Sequence, residues 1–210
     1  MQFALDLQTR GTRLIGLGEA KRRRSVLNQL IAILDREGYD EICLPSLEPA
    51  QVYSDKAGPE ILDQMYVFSD KGNRSICLRP EGTATIQLLA QKHYKTQKDV
   101  KLWYFEKCWR YERVQTGRYR EFYQLGVEVL NPSRITQASL AQLALELVRV
   151  VTDEGVLSEN VKRGLAYYVE EGFEISCPSL GAQKQVVGGG RYREGIGFAI
   201  GFDRLILLGN

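Results

Sequence analysis

Histidine and cysteine are scarce. The 210 residues hold one histidine, His93, and four scattered cysteines, Cys43, Cys77, Cys108 and Cys177, with no Cys-x-x-Cys pair. That spacing excludes a zinc site or a dense disulfide framework. No apolar run approaches the roughly 20 residues that cross a bilayer, and the first ten residues lack the charged-then-apolar layout of a secretory signal. A cytoplasmic location with no membrane partner is therefore expected. Charge of one sign is also lacking: the net charge of +2 does not by itself demand nucleic acid. Neither Gly-x-Gly-x-x-Gly nor a Walker-type lysine loop occurs, which removes the dinucleotide and P-loop readings. Internal repeats and low-complexity linkers are absent. What remains, 44% hydrophobic and 26% charged residues, is the composition of a globular protein, and the length suits a single domain over residues 1–210.

Helical periodicity is clearest over residues 19–36, where Val26, Leu27, Leu30, Ile31 and Leu34 recur at three- and four-residue steps before Gly38. Its basic cluster, Lys21 to Arg24, reads either as a solvated helix end or as a contact for nucleic acid such as tRNA or for phosphate. The apolar segment 41–44 runs into Pro45 and fits a strand end or edge. Residues 101–111 and 121–130, rich in aromatic and β-branched side chains, predict two antiparallel strands joined by an arginine-rich loop. A second helix is predicted over 139–151, and a strand over 196–201 leading into Asp203, Arg204 and Leu205. This uneven order predicts an α+β fold, a mainly antiparallel sheet flanked by helices on one face.

Alternation along 121–130 places Phe122, Gln124, Gly126 and Glu128 on one strand face and Tyr123, Leu125, Val127 and Val129 on the other. An amide and a carboxylate beside a glycine gap suit a small polar ligand, although a solvated sheet face has the same pattern. Arg110, Arg113, Arg118 and Arg120 repel one another unless an anion such as a triphosphate lies among them or Glu112 and Glu121 pair with them. In Leu78-Arg79-Pro80-Glu81-Gly82-Thr83, a fixed turn would aim Glu81 and Thr83 at a ligand. The triple glycine 188–190 suggests close backbone packing or a plain loop. Gly197, Ala199 and Gly201 would form a shallow floor for a purine, with Arg204 beyond it.

Four of these segments, in order, resemble the histidyl-tRNA synthetase family of class II aminoacyl-tRNA synthetases. FEKCWRYERVQTGRYREFYQLGVEV (105–129) is similar to that family's motif 2, GFAIGFDRL (197–205) to its motif 3, RGLAYY (163–168) to its histidine signature, and LRPEGT (78–83) is a fourth match. The resemblance implies a class II synthetase-type sheet and a site for ATP with Mg. Arg110 and Arg163 would meet the α-phosphate in catalysis, with Arg118, Glu112 and Arg204 on the rest of the ATP. Glu81, Thr83 and Gln124 would hold the amino group of the amino acid, with Glu128, Tyr167 and Tyr168 around its side chain. Two positions depart from the family pattern: Ala166 stands where RGLDYY has aspartate, and Arg193 follows GGGRY where aspartate is usual. Both are expected on the amino-acid side. The stretch 131–162 is too short for the family's inserted domain, and an anticodon-binding domain is not expected within the chain.

The resemblance thus implies ATP-dependent activation of histidine or a related amino acid to its adenylate, by a homodimer, with tRNA or another molecule as acceptor. It also implies an alternative: a non-catalytic, histidine-sensing subunit that binds the catalytic subunit of ATP phosphoribosyltransferase.

Overall fold

The structure, a computed structural model, describes residues 8–54, 56, 58–162 and 164–209. A strap at residues 8–16 leads into helix α1 (Leu17–Arg36), the helix expected from its apolar stripe. Gly38, at φ 75°, ends it: Gly38 N donates to Asp35 O and Tyr39 N to Leu34 O, the paired bonds of a Schellman-type terminus. There follow β1 (Asp40–Glu41), β2 (Leu47–Pro49), α2 (Gln51–Ser54), α3 (Pro59–Leu62), β3 (Val67–Ser69), β4 (Ser75–Leu78) and α4 (Thr83–His93). The predicted hairpin is β5 (Val100–Trp109) and β6 (Glu121–Leu130), and the predicted second helix is α5 (Gln137–Arg149). The chain then forms β7 (Val156–Val161), β8 (Gly172–Ser176), a 3₁₀ turn (Pro178–Gln183), β9 (Gln185–Tyr192), β10 (Gly195–Gly201) and α6 (Phe202–Leu207).

Among the described residues, seven strands form one sheet in the order β1-β5-β6-β10-β9-β8-β7, antiparallel except for the β1–β5 edge pair. The segment expected as a strand over 41–44 shortens to Asp40–Glu41 because Leu44 N turns away to the Glu106 carboxylate, 2.8 Å off. Leu125, Val127 and Val129 of β6 join Phe173, Ile196, Phe198 and Ile200 in the main core, under α1 (Leu30, Leu34) and α5 (Leu140, Leu147). The strand alternation therefore holds: the odd positions of β6 face the helices and the even positions face the other way.

The opposite face is covered as well, which corrects the expectation of helices on one side. Ile86 and Ala90 of α4 pack on Leu102, Tyr104 and Leu130, because a sheet of this size with two apolar faces must bury both. A small antiparallel sheet, β2-β4-β3, stands beside α4. Arg79, fully buried, ties it to the main sheet: its guanidinium donates to Glu106 Oε2 and to Lys107 O, both at 2.9 Å. No helix among the described residues is long and apolar enough to cross a membrane.

The basic cluster of α1 resolves in two ways. Lys21 and Arg24 are exposed, but Arg23 is buried, donates to Asp203 Oδ1 at 2.8 Å and lies on the rings of Tyr123 and Phe202. Arg22 donates to Ile206 O at 2.7 Å. Two of the four cations thus anchor α6.

Candidate functional site

The even face of β6 opens into a cleft of about 360 Å³, bounded by α4, the β5–β6 loop, the segment 164–168 and α6. Ala199 and Gly201 of β10 and Gly188 of β9 line it. The glycine gap at Gly126 is not ligand space, however. A Cβ there would lie 2.0 Å from the Tyr104 ring, and one at Gly197 would lie 1.7 Å from Glu128 Oε2. Gly126 admits the tyrosine and Gly197 the glutamate, so of the expected floor only Ala199 and Gly201 face the cleft. The triple glycine is strand β9 rather than a loop: Gly189 packs on Phe173 and Phe198, and Gly190 lies beneath Tyr168.

At one end of the cleft stand Glu81, Thr83, Gln124, Tyr167 and Tyr168, all expected there. Glu81 lies two residues before α4, and its carboxylate accepts from the Thr83 and Ala84 amides at 2.7 and 3.0 Å, satisfying free N–H groups of the first helical turn. Burial nevertheless holds its pKa above the ordinary value, with the two amides and Arg110 pulling the other way. The Tyr167 hydroxyl reaches Glu81 Oε2 at 3.3 Å, and its ring lies 4.7 Å from that of Tyr168. Gln124 accepts from the Cys108 thiol at 3.2 Å.

Glu128 sits beneath this end, wholly buried and outside the lining of the cleft. Thr83 Oγ1 donates to its Oε1 at 2.7 Å and the Tyr192 hydroxyl to its Oε2 at 2.9 Å. Burial pushes its pKa up to about 8, the two hydroxyls pulling down and Glu81 adding a little upward. At neutral pH the group is therefore mostly a neutral acid.

Arg110, Glu112, Arg118 and Arg204 line the rest of the cleft. Arg110 donates from Nε to Pro80 O at 2.8 Å and lies over the Phe122 ring. Arg118 pairs with Glu112. Arg204 donates to Gly117 O at 2.9 Å and Gln185 O at 2.8 Å, and its pKa is lowered by burial first and by Arg118 next. The remaining loop arginines leave the site: Arg113 is exposed, and Arg120 stacks on Tyr111 at 3.7 Å. Arg163 lies outside the described residues.

Ala166 and Arg193 are both exposed and absent from the lining, Ala166 against Gly58 and Arg193 in the β9–β10 turn. The departures from the family pattern therefore do not alter the wall of the cleft. Sequence reasoning missed Tyr192, which holds Glu128, and Gln183 and Gln185, which meet Arg204. Tyr192 was within reach, since it ends the strand that carries the three glycines; Gln183, in a 3₁₀ turn, left no periodic signal.

Among the described residues no group of three or more His, Cys, Asp or Glu side chains could hold a metal ion. What the cleft offers is cations for phosphate and acceptors for an ammonium group.

Comparison with known proteins agrees. A family model described as Histidyl-tRNA synthetase matches residues 11–159, well over half of the chain. The chain is 41% identical over 139 residues to a histidine–tRNA ligase of Methanocaldococcus jannaschii, covering 65% of this chain and 33% of that protein. It is 28% identical over 303 aligned positions to that of Archaeoglobus fulgidus, covering 93% and 74%. The ligand-free histidyl-tRNA synthetase of S. aureus superposes with a TM-score of 0.79 at 27% identity, over 97% of this chain and 70% of that one. An ATP phosphoribosyltransferase regulatory subunit/histidyl-tRNA synthetase from Bacillus halodurans, at 16% identity and a TM-score of 0.78 over 100% and 85%, shares the fold. The chain spans about a third of the length of the archaeal relatives it matches at about 40% identity. From this match and the order of its motifs, the chain belongs to the histidyl-tRNA synthetase family.

Proposed function

We propose that the chain activates histidine with ATP, forming the aminoacyl-adenylate and pyrophosphate. The observation that carries this is the union, in one cleft, of Arg110, Arg118 and Arg204 with the Glu81, Thr83 and Gln124 set. The carboxylate of the amino acid is already ionised at neutral pH, so no general base is needed. Its oxygen bonds to the α-phosphorus as the bond from that phosphorus to the bridging oxygen breaks, and pyrophosphate leaves. Catalysis is then positioning plus stabilisation of charge. Arg110, with Arg163, meets the α-phosphate; Arg118 and Arg204 meet the outer phosphates. The Glu112 pairing holds Arg118 in place until phosphate replaces it.

Mg fits such a site as a companion of the phosphates, because it keeps several waters and takes one or two carboxylates besides phosphate oxygens. Glu112 is the carboxylate at hand, and bound Mg would neutralise phosphate charge. Glu81, Thr83 and Gln124 hold the ammonium group of the amino acid. Tyr168 and Tyr167 face its side chain with Glu128 beneath them; ionised, Glu128 can only accept from an imidazole N–H, whereas neutral it can also donate to an imidazole nitrogen.

We further read residues 1–210 as one domain without the family's inserted domain, which the 303-position alignment of a 210-residue chain supports. A homodimer and an acceptor such as tRNA belong to the same reading. The alternative, a histidine-sensing subunit of ATP phosphoribosyltransferase, is disfavoured by the retained arginines. ATP–pyrophosphate exchange over a panel of amino acids tests the proposal: exchange confined to histidine or a close analogue supports it, and histidine binding without exchange supports the alternative.

A further inference from the structure

The strap at residues 8–16 touches both arginine-bearing walls of the cleft. Gly11, at φ +89°, lies so close to Arg120 that a Cβ would meet its Cγ at 2.6 Å. Its carbonyl accepts from Arg120 N at 2.8 Å and from Glu121 N at 3.3 Å, at the point where the β5–β6 loop enters β6. Two residues on, the Arg13 guanidinium stands 4.9 Å from the ring centroid of Tyr119, in the same loop. From there its Nη2 donates to Asp203 Oδ1 at 3.0 Å, while Nη1 lies 2.7 and 2.8 Å from the two oxygens of Glu19.

Asp203 is buried and fixes the start of α6. It accepts from Arg13 and Arg23 through Oδ1, and from Tyr123 N through Oδ2 at 2.6 Å. The next residue is Arg204, whose head group reaches back to Gly117 O in the loop. Arg13 therefore joins the loop that carries Arg118 to the helix that carries Arg204 through Tyr119 and Asp203, two residues of the cleft wall, without lining the cleft itself.

We propose that Arg13 is a positioning residue for the nucleotide end of the cleft, setting the separation of Arg118 and Arg204 through Tyr119 and Asp203. The planar guanidinium can stack and bridge at once, which a lysine ammonium cannot. The proposal rests on the ATP reading of the cleft, and its test includes a readout that does not.

In the full chain, Arg13→Ala and Arg13→Lys are compared with the unaltered protein by ATP–pyrophosphate exchange and by amide hydrogen exchange over residues 110–120 without ligand. Losing one charge-assisted bridge should raise the KM for ATP about tenfold in Arg13→Ala. The KM for histidine should stay unchanged, Arg13→Lys should fall between, and the Arg118 and Arg120 amides should exchange faster. An unmoved ATP KM, an equal rise in both KM values, or an unchanged loop overturns the proposal. If the unaltered protein shows no exchange activity, the functional reading fails, and the loop amides alone decide for or against Arg13. If Arg13→Ala does not fold, Arg13→Lys is read by the same criteria.

Discussion

Glu128 is the residue on which the proposed amino-acid end of the cleft turns. Buried between Thr83, Tyr192, Tyr104 and Gly197, with Glu81 as the nearest acid and no cation in its set of partners, it holds its proton to about pH 8 instead of its ordinary 4.5. The unfolded chain releases that proton near 4.5 and the folded chain near 8, so between those values the folded state binds more protons. Stability must then fall as pH rises from about 4.5 to 8 and level off above, by at most about 1.4 kcal/mol per pH unit from this group. Glu128→Gln should flatten that slope, as urea denaturation at pH 5.5 and 8 would reveal; an unaltered slope would mean that Glu128 ionises normally. The two glycines beside it make a second case. A methyl group at Gly126 must displace the Tyr104 ring, and overpacking of this kind costs about 1–3 kcal/mol. Gly126→Ala is therefore expected to lower the urea midpoint by a corresponding amount. Glu128 was readable as a site residue from strand alternation, but its protonation was not, because that depends first on burial by segments distant in sequence, the one carrying Tyr192 lying 64 positions away.

At the scale of elements, local patterns carried far. The apolar stripe of α1, the α5 periodicity and the β5–β6 hairpin were all legible, since each depends on residues within one segment. Thr136 caps α5 through a reciprocal bond with Ser139, and Thr136→Ala should cost about 1 kcal/mol in chemical denaturation. Arg79 shows where local reading ends. Within Leu78-Arg79-Pro80-Glu81 nothing local distinguishes it from a cation on an exposed turn. The structure buries it completely as the clamp between the small sheet and Glu106 on β5. Arg79→Met leaves Glu106 without its partner in a partly buried site and should cost about 3–5 kcal/mol, read as a fall in Tm. A loss under about 1 kcal/mol, the range of an exposed pair, would contradict the clamp. The same logic explains Arg22 and Arg23, whose partners on α6 lie some 180 positions later.

For the molecule as a whole, a seven-stranded sheet sheathed on both faces leaves a cleft between the motif-bearing segments. Arginines and acceptors distant in sequence meet there because β5, β6, β9 and β10 bring their ends together. The motif order announced the family, and the cleft brings together the described residues that the resemblance implied for the site, except Glu128, which lies just beneath it, while Arg113, Arg120 and Gly197, proposed from local pattern, fall outside it. Ala166 and Arg193, striking in the sequence by their departure from the family pattern, lie on the surface, as only the turn geometry could reveal. The measurement that bears most directly on the account is histidine-dependent ATP–pyrophosphate exchange in the unaltered chain and in Arg204→Ala. The account predicts exchange that falls at least about a hundredfold in the variant, the order of loss when one stabilising donor is removed from a developing charge. Exchange that is undiminished without Arg204, or histidine binding with no exchange in the unaltered chain, would contradict it.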